Sequence, residues 1–353
     1  ITTAHYLTSQ PATEKTILGS FDEGKNIFNY NQLLLIKMHR TDGGLFQSVF
    51  YKGEQKKDFR FGLVTGSGAK GQTYLYWQGN KLFQMPISYF TAAGQWANSP
   101  GFPSDKVMFD KPITTRCLEC HATYAGLLSE PDIKQEEFDK QSLVLGVDCE
   151  KCHGAGAKHV DFQTANPAEK TGKYIIKQAA LSRQLQLDMC RLCHDGSLKK
   201  TTPSFQYKAG EDLANYFSSD TFTTATVNTD NADVHGNQFG LLRASKCFQL
   251  SNMTCNTCHS PHENERGKVE VFSQRCQGCH KKEHLPIAGL SAGQLNSISN
   301  NCIDCHMPSK QSRTLTLYLK DKELPAVAMV RSHYISNYPE EVKKYVEGLK
   351  KGK

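Results

Sequence analysis

Twelve of the thirteen cysteines in the chain belong to six copies of a Cys-x-x-Cys-His motif. In each copy two residues separate the thiols, and an imidazole follows the second thiol directly. This spacing is the attachment signature of c-type haem, in which both cysteines form thioethers to the porphyrin and the histidine becomes an axial ligand of the iron. One copy could be half of a zinc site, but zinc does not require histidine at that position. Six copies favour covalent haem over structural zinc.

The six copies occupy the middle and later parts of the chain. Their cysteines are Cys117 and Cys120, Cys149 and Cys152, Cys190 and Cys193, Cys255 and Cys258, Cys276 and Cys279, and Cys302 and Cys305. The predicted proximal ligands are the histidines that follow, namely His121, His153, His194, His259, His280 and His306. The last three copies follow at short intervals, so a short tether must keep their haems close together. Cys247 stands outside the motifs and is predicted to be a buried, inert thiol, with a reactive thiol or an intermolecular link as the alternative.

Seven further histidines could supply distal iron ligands. We rank His159, His235, His262 and His333 first, then His5 and His284, and last His39, which we expect to be structural. An iron held by two histidines has no open position, so it moves electrons and does no bond chemistry. Seven further histidines are enough to give each of six haems a second histidine ligand. This number therefore favours an electron carrier with no catalytic residue over an enzyme. The alternative is a reductase or oxidase of a small nitrogen or sulfur compound, such as nitrite or hydroxylamine, at one five-coordinate haem.

Composition and charge fit a chain that is rich in cofactors. Hydrophobic residues make up 38% of the 353 residues, which is low for a globular protein, and apolar haems would supply the missing core. The formal charge of +7 is explained by neutralisation of haem propionates, so we do not expect nucleic-acid binding. No apolar run reaches the length of a membrane span. Covalent haem, together with a start that lacks Met and a signal peptide, predicts a processed or truncated chain in the periplasm or outside the cell.

The sequence predicts a mainly α fold with long irregular loops around a multihaem stack, preceded by an antiparallel β subdomain. The expected segments are an N-terminal stretch at 1–32 with a haem ligand, the β subdomain at 33–99, a linker at 100–116, a hexahaem domain at 117–310 and a C-terminal segment at 311–353. Within 33–99, aromatic and β-branched runs alternate with glycine turns. Residues 131–141 and 340–351 are expected to form surface helices. The glycines at 66, 68 and 71 match a dinucleotide-binding pattern, but a strand-like run follows them, which indicates a turn.

Three stretches resemble the multihaem cytochromes related to cytochrome c554, and the resemblance extends over most of the chain. They are Gly-Val-Asp-Cys-Glu-Lys-Cys-His-Gly-Ala-Gly-Ala-Lys-His-Val at 146–160, Thr-Cys-Asn-Thr-Cys-His-Ser-Pro-His at 254–262, and the Cys-His-Met-Pro ending at 305–308. Residues 66–90 and 96–102 resemble a β segment that many bacterial members carry before the haems. The resemblance implies distal roles for five histidines at matching positions: His5, His159, His235, His262 and His333.

The resemblance also bears on cofactors and partners. Such proteins often carry another attachment motif just upstream of the Thr-Ala-His stretch at 3–5, so a seventh haem from a lost motif or a neighbouring chain is an alternative to six. No copy ends in lysine, unlike the pattern of the pentahaem nitrite reductases. We expect redox proteins as partners, with an end-to-end arrangement of identical subunits, a homo-oligomer or filament, as a further option.

Overall fold

A computed structural model of the protein describes residues 3–219, 233–280, 289–319 and 326–351. Helix and strand each account for 28% of the structure. The predicted mainly α fold is therefore wrong. Strands continue well beyond the predicted β subdomain. In addition, most attachment motifs lie in short helices, so six motifs contribute few helical residues.

The chain divides into two compact units. The first comprises Ile1–Gln178, Lys200–Glu211 and Arg313–Ala328, and the second comprises Ala179–Lys199, Asp212–Ser312 and Met329–Lys353. The first two attachment motifs fall in the first unit and the other four in the second. The five predicted segment boundaries stay a prediction.

The strands, in chain order, are β1 Ser9–Pro11, β2 Ile27–Asn29, β3 Leu34–Thr41, β4 Gly44–Tyr51, β5 Glu54–Arg60, β6 Leu63–Thr65, β7 Gly71–Gln78, β8 Lys81–Gln84, β9 Ile87–Phe90, β10 Gln95–Asn98, β11 Lys111–Pro112, β12 Ala122–Leu127, β13 Phe138–Leu145, β14 Lys199–Lys200, β15 Phe217–Ser218, β16 Ser309–Leu317 and β17 Ala326–Arg331. A four-stranded sheet runs in the order β2-β3-β4-β5. A seven-stranded sheet has the path β1-β6-β7-β8-β11, with β9 on β7 and β10 on β9. The remaining sheets are two-stranded: β12 with β13, β14 with β15, and β16 with β17.

The antiparallel strands expected within 33–99 are confirmed. Strands β3 and β4 pair from Leu34 opposite Tyr51 to Thr41 opposite Gly44, so that two residues close the hairpin. Between β4 and β5, Lys52 and Gly53 both have positive φ, which is the backbone that a tight hairpin turn requires. The glycine-rich stretch before β7 is also a turn, since Gly66 and Gly68 have φ of +95° and +81° and a strand follows.

Strand β7 is covered on both of its faces. Tyr74 and Tyr76 lie in one apolar cluster together with Ile36 of the four-stranded sheet. Leu75, between them, points to the other face and packs in a second cluster that contains Leu118 of the first attachment motif. This alternation follows from the two-residue period of a strand. The first attachment helix therefore packs against this face of the sheet.

The described helices, in chain order, are α1 Thr115–His121, α2 Cys149–His153, α3 Ala157–Ala165, α4 Arg183–His194, α5 Gln238–Arg243, α6 Lys246–Gln249, α7 Cys255–Cys258, α8 Val269–Gln277, α9 Ala292–Ser299, α10 Cys302–His306 and α11 Pro339–Lys350. Helix α11 confirms the expected terminal helix. No helix in the described ranges is both long and apolar enough to cross a membrane.

The helix expected over residues 131–141 is wrong. Asp132 has a φ of +66°, and β13 begins at Phe138. The acidic residues of this segment do not all face solvent. Glu136 is buried, and its carboxylate accepts hydrogen bonds from the backbone N–H groups of Thr115 and Asp132, at 2.5 and 2.8 Å. A carboxylate at the start of α1 also interacts favourably with the helix dipole.

Candidate haem-attachment sites

Every attachment motif begins within a short helix. The helices are α1, α2, α4, α7, α8 and α10, in motif order. Cysteines three residues apart in a helix lie on the same face, so one turn presents both thiols together. In α1, α2, α4 and α10 the helix ends at the motif histidine itself, whereas α7 ends at Cys258 and α8 at Gln277. A local segment of five residues thus presents the groups that would hold a haem.

Polar side chains start several of these helices. Asp148, before α2, accepts a hydrogen bond from the N–H of Glu150 at 3.0 Å. Asn301 does the same for the N–H of Asp304 at 3.3 Å before α10. Thr254 forms a capping box with the third residue of α7. Such caps satisfy backbone donors that a helix of one turn would otherwise leave without partners.

Three motif histidines bond to backbone carbonyls through Nδ1. The distances are 3.2 Å from His121 to the oxygen of Thr8, 2.7 Å from His153 to that of Ile176, and 3.0 Å from His306 to that of Ser336. A carbonyl oxygen only accepts, so Nδ1 must carry the proton. Nε2 is then left with its lone pair, which is the arrangement that metal-ligating histidines commonly have.

The histidine of the third motif has a side-chain partner instead. Nδ1 of His194 lies 3.3 Å from Oε1 of Gln238, which begins α5. An amide oxygen is an acceptor, so this contact also assigns the proton to Nδ1. The interaction is longer than the carbonyl contacts at the other motifs and holds the ring less firmly.

The N-terminal stretch joins the two motifs of the first unit. Ser9 Oγ donates to the carbonyl oxygen of His121 at 2.5 Å and accepts from the N–H of Gly146 at 2.9 Å. The carbonyl oxygen of His5 accepts from the N–H of Val147 at 3.0 Å. Gly146 has a φ of +71°, and a Cβ there would stand 2.2 Å from the carbonyl oxygen of Tyr6. Glycine is therefore required just before the second motif, a role that the motif spacing did not reveal.

The helix of the first motif is also held by charged groups. Glu119, between Cys117 and Cys120, is buried and accepts from Arg116 Nη1 at 2.8 Å. Its other oxygen accepts from the N–H of Phe205 at 2.7 Å. A buried carboxylate needs such partners, since desolvation would otherwise make its charge costly.

Attachment helices in the second unit contact one another in motif order. Helix α4 packs on α7, α7 on α8, and α8 on α10. A hydrogen bond from the Cys190 thiol lowers the pKa of Cys255, which places thiols of the third and fourth motifs side by side. Burial raises the pKa of Cys276 to about 12, and the neighbouring thiol of Cys302 adds to the shift. The backbone N–H of Cys302 also donates to Ser273 Oγ at 3.0 Å.

Two histidines that are far apart in the sequence meet at the fourth motif. The ring centroids of His259 and His333 are 6.1 Å apart, with an angle of 27° between the planes. Nδ1 of His333 is buried, and no hydrogen-bond partner lies within reach among the described residues. Burial, with a contribution from His259, lowers the pKa of His333 to about 4. The imidazole is therefore neutral at neutral pH, which is the form that ligates a metal.

An apolar cavity of about 370 Å³ opens at the sixth motif. Its lining includes Cys302, Cys305 and His306 on one side, with Tyr338 and Val342 from the C-terminal segment on another. Cofactor pockets are typically concave, largely apolar and of several hundred Å³. The two thiols and the imidazole face the same apolar space, so the residues present at this motif fit a haem.

The remaining predicted distal ligands occupy different settings. His159 lies in α3, where Nδ1 bonds to the carbonyl oxygen of Lys173 at 2.8 Å. His235 and His262 are exposed, and His284 lies outside the described residues. His39 bonds to Ser48 Oγ through Nε2 at 2.7 Å and stacks on Phe46, contacts that suit a structural role.

Residues 93–154 match the sequence model of a family described as "Cytochrome c554 and c-prime". The matched stretch contains Cys117, Cys120 and His121 as well as α2. This stretch is similar to the cytochrome c554 family. A search of curated proteins and a search of solved structures each found no match.

The match supports a c-type cytochrome that binds haem c and takes part in electron transfer with redox partners. The homo-oligomer or filament considered from the sequence receives no support. Within the described ranges, no group of three or more His, Cys, Asp or Glu side chains could hold a metal ion by itself, as a zinc site of protein ligands would require.

Cys247, the cysteine outside the motifs, lies half-buried in α6. Burial raises the pKa of its thiol, which disfavours the reactive thiolate. The inert role predicted for this residue stays a prediction.

Proposed function

We propose that this cytochrome c554 relative carries electrons through six covalently attached haems, most of them held between two histidines, in the periplasm or outside the cell. Six attachment motifs, each beginning within a helix, support the number. The family to which residues 93–154 belong supports electron transfer between redox partners as the role.

Haem c, when bound, supplies an iron that cycles between two oxidation states. The paired cysteines of each motif would hold the porphyrin. The carbonyl partners of His121, His153 and His306 hold Nδ1–H, so each ring presents Nε2 in a fixed direction. A ligand that is already oriented loses little freedom on binding, and this keeps the geometry similar in both oxidation states.

The pairing of His259 with His333 carries the proposal. The ring centroids of these two residues lie 6.1 Å apart, and the two imidazoles would together hold the iron of a haem at the fourth motif. With both positions filled, an iron at the fourth motif would have no site for a substrate, which favours electron transfer over chemistry.

Contacts among the attachment helices support a continuous path within the second unit. Since α4, α7, α8 and α10 touch in sequence, the haems of the last four motifs would be near neighbours. In the first unit, we assign His5 to one of the first two motifs, because its carbonyl bonds to Val147 while Thr8 bonds to His121. The proposed distal ligands are His5, His159, His235, His262, His284 and His333.

Two measurements on the purified holoprotein test the proposal. Intact mass counts the covalent haems, and six are expected. Electron paramagnetic resonance of the oxidised protein is expected to show low-spin iron only, with no change on addition of cyanide or nitrite. A mass with fewer haems contradicts the count. A high-spin signal that responds to nitrite contradicts the electron-carrier proposal and supports the reductase alternative.

A further inference from the structure

A buried charged triad lies behind the third attachment helix. Arg191 stands between Cys190 and Cys193, with its side chain 2% exposed. Its Nη1 donates to Oδ1 of Asp188 at 2.9 Å. Its Nε and Nη2 both donate to Oδ2 of Asp195, at 3.1 and 3.0 Å. Both carboxylates are fully buried. Burying such charges is costly, because the desolvation penalty can exceed the attraction between them.

Further hydrogen bonds hold each carboxylate in place. Asp188 accepts from Gln184 Nε2 at 2.8 Å and from the N–H of Leu213 at 3.4 Å. Asp195 accepts from the hydroxyl and the N–H of Ser197, at 2.8 and 3.3 Å. Donors arranged around a buried carboxylate stabilise its charge and fix its position.

The triad and the attachment groups lie on different faces of α4. At 3.6 residues per turn, positions 188, 191 and 195 share one face, while 190, 193 and 194 share the other. The triad therefore lies across the helix from the thioether cysteines, at about one helix diameter, roughly 10 Å. It cannot ligate iron at that distance, but its charge can act on the haem.

The charges of the triad do not cancel. Two carboxylates face one guanidinium, which leaves a net negative charge in the interior. Phe239 covers the guanidinium, with its ring centroid 4.3 Å from the Arg191 carbon. Arg243 also lies near the triad but is only half-buried, so water screens it more strongly. Oxidised haem carries one more positive charge than reduced haem, and a fixed negative charge nearby stabilises the oxidised state.

We propose that the Asp188–Arg191–Asp195 triad lowers the reduction potential of the haem attached at Cys190 and Cys193. The inference rests on the proposed function, since it requires a haem at the third motif. The triad would set a difference in reduction potential between this haem and its neighbours. It would thereby influence which haem of the second unit is reduced first.

The test is a potentiometric titration of the holoprotein at pH 8, followed by electron paramagnetic resonance. Asp195→Asn is expected to shift the reduction equilibrium of one haem about tenfold towards the reduced state, which is 59 mV for one electron. Asp188→Asn is expected to shift the same haem in the same direction.

Two control variants separate charge from structure. Asp212→Asn removes an exposed carboxylate next to Leu213, and it is expected to change the equilibrium less than twofold because water screens that charge. Arg191→Lys keeps the charge but loses the forked hydrogen bonds, and it is expected to lower thermal stability while the potential stays near that of the parent.

Intact mass distinguishes a failure of the proposed function from a failure of the proposed role of the triad. A parent protein without haem at Cys190 and Cys193 would contradict the proposed function; in that case the double variant Cys190→Ala with Cys193→Ala would be lighter by only the two sulfur atoms and not by a haem. Fully loaded Asp195→Asn and Asp188→Asn proteins with unshifted potentials would overturn the role of the triad alone. Equal shifts for Asp212→Asn and Asp195→Asn would overturn it as well.

Discussion

The imidazole rings of His259 and His333 lie 6.1 Å apart between centroids, with planes inclined by 27°. One ring belongs to the fourth attachment motif, and the other follows β17 near the end of the chain. Ser245 helps to place the second ring, because its Oγ donates to the carbonyl oxygen of His333 and accepts from the N–H of Ile335, at 3.3 and 2.7 Å. The pair is held from the backbone, as two ligands of one metal would need to be.

Replacing His333 with Ala is expected to convert one haem from low-spin to high-spin, because the fourth iron would lose its second imidazole. Electron paramagnetic resonance and visible absorption of the oxidised protein measure the change. Added imidazole should restore the low-spin spectrum by occupying the opened position. His39→Ala is the control, since His39 bonds to Ser48 within the β structure. A fully loaded His333→Ala protein with an unchanged spectrum would remove His333 as a ligand.

Gly146→Ala is expected to destabilise the protein by about 1–3 kcal/mol or more, because the φ of +71° disfavours a side chain and the new Cβ would meet the carbonyl oxygen of Tyr6 at 2.2 Å. Chemical denaturation of the holoprotein measures the loss. Gly53→Ala is the matched control, with a φ of +81° and open space around the new Cβ. Equal losses in the two variants would mean that backbone strain alone matters and that the contact with the N-terminal stretch does not.

Arg331→Met is expected to cost about 2–3 kcal/mol, because hydrogen bonds from a charged donor are lost at the end of α10. Nη1 of Arg331 donates to the carbonyl oxygens of Ile303 and Met307, both at 2.8 Å, and Nη2 donates to Asp304 at 2.6 Å. Thermal unfolding followed by haem absorption measures the effect.

Lys344→Met is the control for that substitution. Lys344 pairs with Glu341 on the exposed face of α11, and surface ion pairs contribute little. If both substitutions lower the unfolding temperature equally, Arg331 has no special role at the sixth motif.

Glu265→Gln is expected to change the response to acid. Hydrogen bonds from Arg275, including one of 2.8 Å from Nη1, lower the pKa of Glu265 from its usual 4.5 to about 2. A depressed pKa means that the carboxylate stabilises the fold above pH 4.5 and that this contribution is lost as the pH falls towards 2.

The free energy of unfolding as a function of pH tests this expectation. Glu265→Gln should be less stable than the parent at neutral pH, and the difference should shrink between pH 4.5 and 2. Glu347→Gln, on the exposed surface of α11, should show no such trend. A difference that stays constant from pH 7 to pH 2 would exclude Glu265 as the source.

The fold was only partly predictable from the sequence. Strands β3 and β4 follow from alternating residues and glycine turns, since a strand with one covered face repeats every two residues. Strands β12 and β13 were missed because their buried residues do not alternate, and the acidic residue Glu136 acts by capping α1 rather than by facing water. Those strands, together with β16 and β17, are why the expected mainly α fold is wrong.

The sequence by itself determined the chemistry of attachment. Two cysteines and a histidine with the spacing of a haem-attachment signature occupy five consecutive residues, so their proximity is local in the sequence. The tertiary structure alone decided which distant groups accompany each motif. His333 beside His259, Ser9 between His121 and Gly146, and the burial of Asp188, Arg191 and Asp195 all depend on packing across the fold. Such pairings come from contacts between residues that are far apart in the sequence, and the spacing of motifs along the chain does not specify them.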